Sequence, residues 1–306
     1  MIRKAALIGA GAVGCYLIDC LMDMEGTDFC VIASGERRAR LEQSGVCVNG
    51  RTLHPPVRTP EEAGEQDLIL IATKTMALEE AIACLPAMMG KQTLVMSLLN
   101  GVDSEERVAA AVGQNHVVYS LMRIASERRG GQVSYRISPE MGVFFGILPG
   151  QDAPASEAIG ILSEFFGRTR LFWHAEEDIL TDIWYKYASN IANNLPQAIL
   201  GVPAKLYQTE DGLYLLNTLW REVRAVAQTK GIDLPEAPCV WNQPASRYST
   251  LQDLDAGRKT EIDMFTGTLM RMAEQAGIAV PCAATVHHLI RALELKNEGF
   301  YAPAAD

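Results

Sequence analysis

The feature that most constrains this chain is a buried strand pattern running straight into a glycine turn. Ala5-Ala6-Leu7-Ile8 is a continuous apolar run, and Gly9-Ala10-Gly11-Ala12-Val13-Gly14 follows it with the spacing GxGxxG. From Val13 to Met24 the apolar residues recur at helical spacing. The hexapeptide alone is a weak signal. Between a buried strand and a helix it has the context that a dinucleotide-binding turn requires. Gly9 permits the tight turn, Gly11 lets the backbone approach a pyrophosphate, and Gly14 allows close packing of helix on strand. The helix start, with Ala10, Ala12 and Val13, then offers amide groups and a partial positive charge to phosphates. A structural glycine turn in an unrelated α/β protein is the competing reading.

The first half of the chain repeats this alternation. Phe29–Ile32, Asp67–Ala72, Thr93–Leu98 and Val117–Met122 read as strands, and Arg37–Ser44, Leu78–Leu85 and Ser104–Val112 as helices. Continuous apolar strands alternating with helices predict a parallel sheet covered on both faces. Gln132–Ile137 and Met141–Ile147 have period two and suit antiparallel strands at the sheet edge. Ala155–Phe166 reads as a helix and Thr169–Trp173 as a last strand. Beyond His174-Ala175-Glu176 the periodicity is helical: Asp178–Asn194, Leu213–Lys230, Lys259–Ala276 closed by Gly277, and Thr285–Leu295. Val202-Pro203 and Pro235–Pro238 mark breaks, and the tail Tyr301–Asp306 is expected to fray. The expected architecture is α/β, with a Rossmann-type parallel-sheet domain over 1–175 and an all-helical, substrate-binding domain over 176–306.

Composition narrows the class. No run of about eighteen apolar residues exists, so no membrane span is expected. The start reads as a folded domain rather than a signal peptide. With 27 Lys and Arg against 37 Asp and Glu, the net charge of −10 argues against a nucleic-acid or membrane-surface partner. The seven cysteines (Cys15, Cys20, Cys30, Cys47, Cys84, Cys239, Cys282) are odd in number and without CxxC spacing. They read as free thiols in a reducing cytoplasm. The five histidines form no metal-ligand spacing, and adjacent His287 and His288 diverge on a helix, so no metal is expected.

An NAD-preferring turn usually places an acid at the tip of the second strand. Here the tip reads Ala33-Ser34-Gly35-Glu36-Arg37-Arg38-Ala39-Arg40, and arginine forks suit a phosphate dianion. This favours NADPH/NADP, with Arg37 or Arg38 at the 2′-phosphate; nearby Glu36 keeps NADH open, and a solvated helix face is the plain alternative. Lys74 and Asn100-Gly101 follow two further strands, at the sheet edge where α/β folds bind ligands. In the second half, Lys186, Asn190 and Asn194 are spaced i, i+4, i+8 on one helix face, opposite Trp184, Tyr187, Ala188, Ile191 and Leu195. Asparagines weaken a helix, so this face is either exposed or a site. Ser249 and Thr250 sit near a loop-to-helix junction. Glu261 is expected in the first turn of the long helix, which Thr260 is placed to cap.

Taken in order, these residues resemble the ketopantoate reductase family along nearly the whole chain. The resemblance rests on Gly9–Gly14, Lys74, Asn100-Gly101, Lys186/Asn190/Asn194, Ser249 with Leu251-Gln252-Asp253, Thr260-Glu261-Ile262-Asp263 and Gly277-Ile278-Ala279-Val280-Pro281. It implies that Lys186 is the general acid and that Asn190, Asn194 and Ser249 hold the keto acid. It further implies that Asn100 lies beside nicotinamide and substrate, that Lys74 contacts the cofactor, and that Glu261 sits near the nicotinamide ribose and reacting centre. The implied activity is NADPH-dependent reduction of ketopantoate to pantoate, in pantothenate and coenzyme A biosynthesis, by a monomer or homodimer. A related 2-hydroxy acid or opine-type dehydrogenase, or a silent NADPH-sensing protein, is the alternative. The chain departs from the family at Ser34, where arginine is frequent, at Thr266-Gly267 in place of Asn-Gly, and over Arg123–Arg129.

Overall fold

The computed structural model describes residues 1–238 and 243–301, apart from the Arg129 side chain. Cys239 and the tail beyond Tyr301 lie outside the described residues. The chain divides into two compact units, Met1–Ile179 and a second from Leu180 onward.

The first unit runs β1 (Lys4–Ile8), α1 (Ala12–Leu21), β2 (Asp28–Ile32), α2 (Gly35–Ser44), β3 (Val46–Val48), β4 (Arg51–Leu53), β5 (Val57–Arg58) and α3 (Pro60–Ala63). It continues with β6 (Leu68–Ile71), α4 (Leu78–Cys84), β7 (Leu94–Ser97), α5 (Ser104–Val112), β8 (Val117–Arg123), β9 (Ala125–Arg129), β10 (Gln132–Arg136), β11 (Gly142–Gly146), α6 (Ala158–Gly167) and β12 (Trp173–Ala175). The main sheet has the order β12-β11-β8-β7-β6-β1-β2-β5. From β5 to β8 all neighbours are parallel, and β11 turns antiparallel to β8. Every residue of β6 is buried, as a strand covered on both faces demands. After β1 the chain goes out to β2 and β5, then crosses back to β6 on the other side of β1. The order therefore reverses at β1, which is where such sheets open a ligand crevice.

Gln132–Arg136 does not join the edge of this sheet, as its alternation suggests. It pairs with β9 and β3 in a second sheet of order β4-β3-β10-β9. Two tight hairpins build that sheet. Asn49-Gly50 (φ 48° and 78°) and Gly130-Gly131 (φ 53° and 84°) occupy the left-handed conformations that two-residue turns need. The small sheet is fastened to α1, where the Tyr16 and Tyr135 rings meet edge-on at 4.8 Å and Tyr135 Oη donates to Asp19 at 2.5 Å. The strand expected over Thr169–Trp173 begins only at Trp173. Thr169 is held in a turn, donating to Phe166 O at 2.7 Å and accepting from the Leu171 amide at 3.0 Å.

The second unit is helical: α7 (Ile179–Leu200), α8 (Glu210–Thr229), α9 (Ser249–Asp255), α10 (Thr268–Ala276) and α11 (Pro281–Asn297). Its core holds Tyr187, Ile191, Leu216, Trp220 and Phe265, all buried. α7 runs past Pro196, although Asn194 reads as its end. A proline inside a helix leaves the carbonyl four residues back without its amide. The buried Tyr207 hydroxyl answers this, lying 3.4 Å from Ala192 O and bonded to Asn193 O. The helix read from Lys259 starts later, with a π-turn over Asp263–Gly267 ahead of α10. Thr260 gives both its amide and its hydroxyl to Glu294 Oε1, each at 2.7 Å, which keeps it out of the helical ladder. Thr266 Oγ1 donates back to Ile262 O at 3.3 Å within the wide turn.

Candidate functional site

In the first unit the parallel strands β1, β2, β6 and β7 end on one sheet edge. They deliver Gly9, Ser34, Thr73-Lys74 and Asn100-Gly101 respectively. The three glycines of the first turn answer to different causes. Gly9 has φ +108°, and a Cβ there would stand 2.6 Å from Ala72 O. A Cβ on Gly14 would stand 2.0 Å from Gly9 O, so helix and turn could not close. Gly11 has an ordinary φ of −77°, and a Cβ there would meet only Ala72 O at 3.9 Å. Neither strain nor crowding within the protein requires glycine at Gly11.

The space over Gly11 lies at the start of α1, whose first amides have no partner within the helix. Ala10, Ala12 and Val13 are half-buried around it. Close by, Thr73 Oγ1 is buried and makes no hydrogen bond among the described residues. Open room at a helix start and an unanswered hydroxyl fit the diphosphate of a dinucleotide. Lys74 is exposed ahead of a single 3₁₀ turn, Asn100 is half-buried, and Gly101 has φ +108°.

At the tip of β2, Ser34 begins α2 without a side-chain cap bond. The arginines there divide by partner. Arg38 is engaged with Glu42 Oε1 at 2.8 Å and with both oxygens of Glu62 at 2.8 and 3.0 Å. Arg58 forks onto Asp28 at 2.8 and 2.9 Å, and this hydrogen bonding holds the Asp28 carboxyl below its ordinary range. Arg37 is exposed and enters no ion pair among the described residues. Of the two arginines that the sequence offers for a 2′-phosphate, Arg38 is therefore occupied.

In the second unit α7 carries Lys186 and Asn190 half-buried and Asn194 buried, one turn apart. Asn194 Nδ2 donates to Asn190 Oδ1 and to Ser249 Oγ, each at 3.5 Å, so two amides of α7 and the first hydroxyl of α9 meet. Glu261 is half-buried and precedes the helix rather than lying in its first turn; its carbonyl accepts the Phe265 amide at 3.0 Å. The Tyr187 hydroxyl donates to Phe265 O at 2.5 Å and ties that π-turn to α7. Asn193 takes a structural part instead, donating back to Ser189 O at 2.9 Å.

Two residues that support these positions escape a reading of the sequence. Gln197 is fully buried; it accepts the Tyr248 amide at 3.2 Å and donates to Ser246 O at 3.4 Å, which fixes the entry to α9 and so Ser249. Its spacing from Asn190 and Asn194 (i, i+4, i+7) is the signal that could have found it. Buried Glu294 anchors Thr260 beside Glu261 and is balanced by Arg291 at 3.0 Å and Lys259 at 3.8 Å. Among the described residues, no group of three or more His, Cys, Asp or Glu could hold a metal ion, and no helix is long and apolar enough to cross a membrane.

Comparison with known proteins bears on both units. Residues 5–147 match the family described as ketopantoate reductase PanE/ApbA, and residues 178–294 match its C-terminal counterpart. The 2-dehydropantoate 2-reductase of Caulobacter vibrioides is 30% identical, over 95% of this chain and 99% of its own. A PanE/ApbA family ketopantoate reductase from Ralstonia eutropha superposes with a TM-score of 0.80 at 25% identity, covering 97% of this chain and all of that one. A D-mandelate dehydrogenase solved with NADH gives a TM-score of 0.84 at 25% identity, covering 96% of this chain and 99% of that one.

Proposed function

This chain belongs to the ketopantoate reductase family, and from that premise we propose that it reduces a small 2-keto acid to the 2-hydroxy acid with NADPH, ketopantoate to pantoate first among the candidates. The observation that carries the reading is the cluster of Asn190 and Asn194, on the α7 face that also holds Lys186, with Ser249 of α9. Such a cluster offers amide and hydroxyl groups to a carboxylate and a carbonyl, beside an ammonium.

The dinucleotide would be held by the Gly9–Gly14 turn, with Lys74 and Asn100 on the same sheet edge and Arg37 toward the 2′-phosphate. When bound, the reduced nicotinamide supplies a hydride to the ketone carbon. Lys186 Nζ then stabilises the negative charge growing on the ketone oxygen and gives it a proton. Asn190, Asn194 and Ser249 fix the substrate's orientation, and Glu261 orients the Lys186 ammonium or accepts from the new hydroxyl. The six described cysteines are free thiols, which suits a reducing cytoplasm.

A second reading has its own support. Ser34 in place of an arginine, Arg38 held by Glu42 and Glu62, and the likeness to an NADH-bound D-mandelate dehydrogenase favour a related 2-hydroxy acid dehydrogenase that accepts NADH. A panel of 2-keto acids that includes ketopantoate, run with NADPH and with NADH and followed by nicotinamide absorbance, decides. Fastest turnover of ketopantoate with NADPH is expected. Preference for a bulkier keto acid with NADH moves the assignment to the second reading, and tight binding without any turnover overturns both.

A further inference from the structure

The loop that carries Asn100 runs from the end of β7 to the start of α5, and a buried polar clasp closes its base. Ser97 Oγ donates to Ser104 Oγ at 2.8 Å, and Ser104 Oγ donates to Glu105 Oε2 at 2.7 Å. Ser120 of β8 donates from Oγ to Ser97 O at 2.8 Å, while its amide faces Glu105 Oε1 at 3.5 Å. None of the four residues is more than 3% exposed. No cation pairs with the Glu105 carboxyl among the described residues. We propose that Glu105 is a positioning residue that, while protonated, holds the 98–103 loop and with it the Asn100 amide, and that its ionisation loosens the loop.

An unpaired charge in such surroundings is costly, and a carboxyl there keeps its proton well above the usual range. Burial pushes Glu105 up to about 7, with the Ser104 hydroxyl and backbone amides offsetting only part of this. The proton reverses the direction of the clasp's hydrogen bonds with the heavy atoms in place; ionisation leaves an unpaired anion enclosed, and opening the loop to water relieves it. Protonated Oε2 donates to Ser104 Oγ, whose hydrogen then turns to Ser97 Oγ; on ionisation the proton leaves to solvent and both hydroxyls turn back toward a buried anion. α5 packs against β7, β8, α4 and the 114–116 turn. These carry Tyr119, Arg123, Glu79, Glu80, Cys84 and His116, and the start of α5 adds Asp103, Glu106 and Arg107; Arg123, at the far end of β8, lies over the Phe144 ring at 4.3 Å. Arg107 is engaged with Glu79 at 2.5 Å, and Asp103 pushes Glu105 further up. His116, whose Nδ1 lies 2.8 Å from Thr93 O, is the one histidine on these elements, so it is the control.

That Asn100 serves catalysis rests on the proposed function; the clasp itself does not. The test is amide hydrogen exchange over residues 98–103 of the ligand-free protein, corrected for the intrinsic chemical rate. Protection should fall about tenfold from about pH 6 to about pH 8 in the unaltered protein, stay level in E105Q, and keep the unaltered slope in H116Q. A level profile in the unaltered protein, or a slope that survives in E105Q, overturns the proposal. Should E105Q not fold, the Glu105 carboxyl can be titrated by carbon NMR in the unaltered protein. A midpoint near the exchange midpoint supports the clasp, and one in the ordinary carboxylate range overturns it. Exchange as expected with no turnover of any keto acid leaves the clasp standing and removes only the catalytic reading.

Discussion

The two units carry their candidate sites in opposite ways. In the first, the site is cut from backbone and space, through a turn whose glycines leave room and strand ends that share one edge. In the second, it is mounted as side chains, an ammonium and two amides on successive turns of α7 with a hydroxyl brought up from α9. A backbone site is indifferent to what the side chains can ionise or donate and sensitive to any atom added. A side-chain site tolerates neighbours and fails when one functional group is removed.

The contrast is broken most severely at Lys186. Lys186→Ala should lower kcat about a hundred- to ten-thousand-fold while NADPH affinity, read by calorimetry, stays near its original value. Equal activity would remove the proposed acid. Next in size is the pH dependence of the first unit. Glu105 keeps its proton in the native state from its ordinary 4.5 up to about 7. The associated stability is therefore fully present below about 4.5 and is lost as pH rises through about 7, on the order of 3 kcal/mol in all. Denaturant unfolding should show E105Q more stable than the unaltered protein at about pH 8 and no such advantage at about pH 5.

The glycines sharpen the comparison further. Gly14→Ala forces a Cβ onto Gly9 O and should destabilise the first unit by about 1–3 kcal/mol. Gly11→Ala should leave the melting temperature in place and weaken dinucleotide binding about tenfold. Loss of stability at Gly11, or binding untouched there, would show that the space is not a ligand's. The smallest effect belongs to Arg37→Ala, which should cut the NADPH-to-NADH affinity ratio by roughly three- to tenfold, since one exposed cation contributes modestly. No change in that ratio would move the 2′-phosphate away from α2.

What could be read beforehand follows the same division. The glycine turn is legible because its demands are local, and the Lys186–Asn190–Asn194 face because helical spacing is enough to assemble it. The small second sheet is not. β3 and β4 have three residues each, too short for a period, and no hairpin is read at Asn49-Gly50 or Gly130-Gly131, although such pairs favour two-residue turns. Gln197 shares the Asn190–Asn194 face, but what it and Glu294 hold stays hidden, because those groups lie 51 and 34 residues away, a relation that no window along the chain contains. The late start of the helix after Glu261 has that same origin, since Thr260 gives its amide and hydroxyl hydrogen across to α11 and keeps only its Oγ1 for the Ile262 amide of its own segment.

Pro196 and Tyr207 form a pair whose members make sense only together. The phenol lies by Ala192 O, the carbonyl that a different residue at 196 would serve through its own amide, and also holds the next carbonyl, Asn193 O. Losing the hydroxyl is therefore costly in this background and much less so once the ring at 196 has gone. The two substitutions are therefore non-additive: exchanging tyrosine for phenylalanine weighs more while the imino acid stands at 196 than after an amide has replaced it.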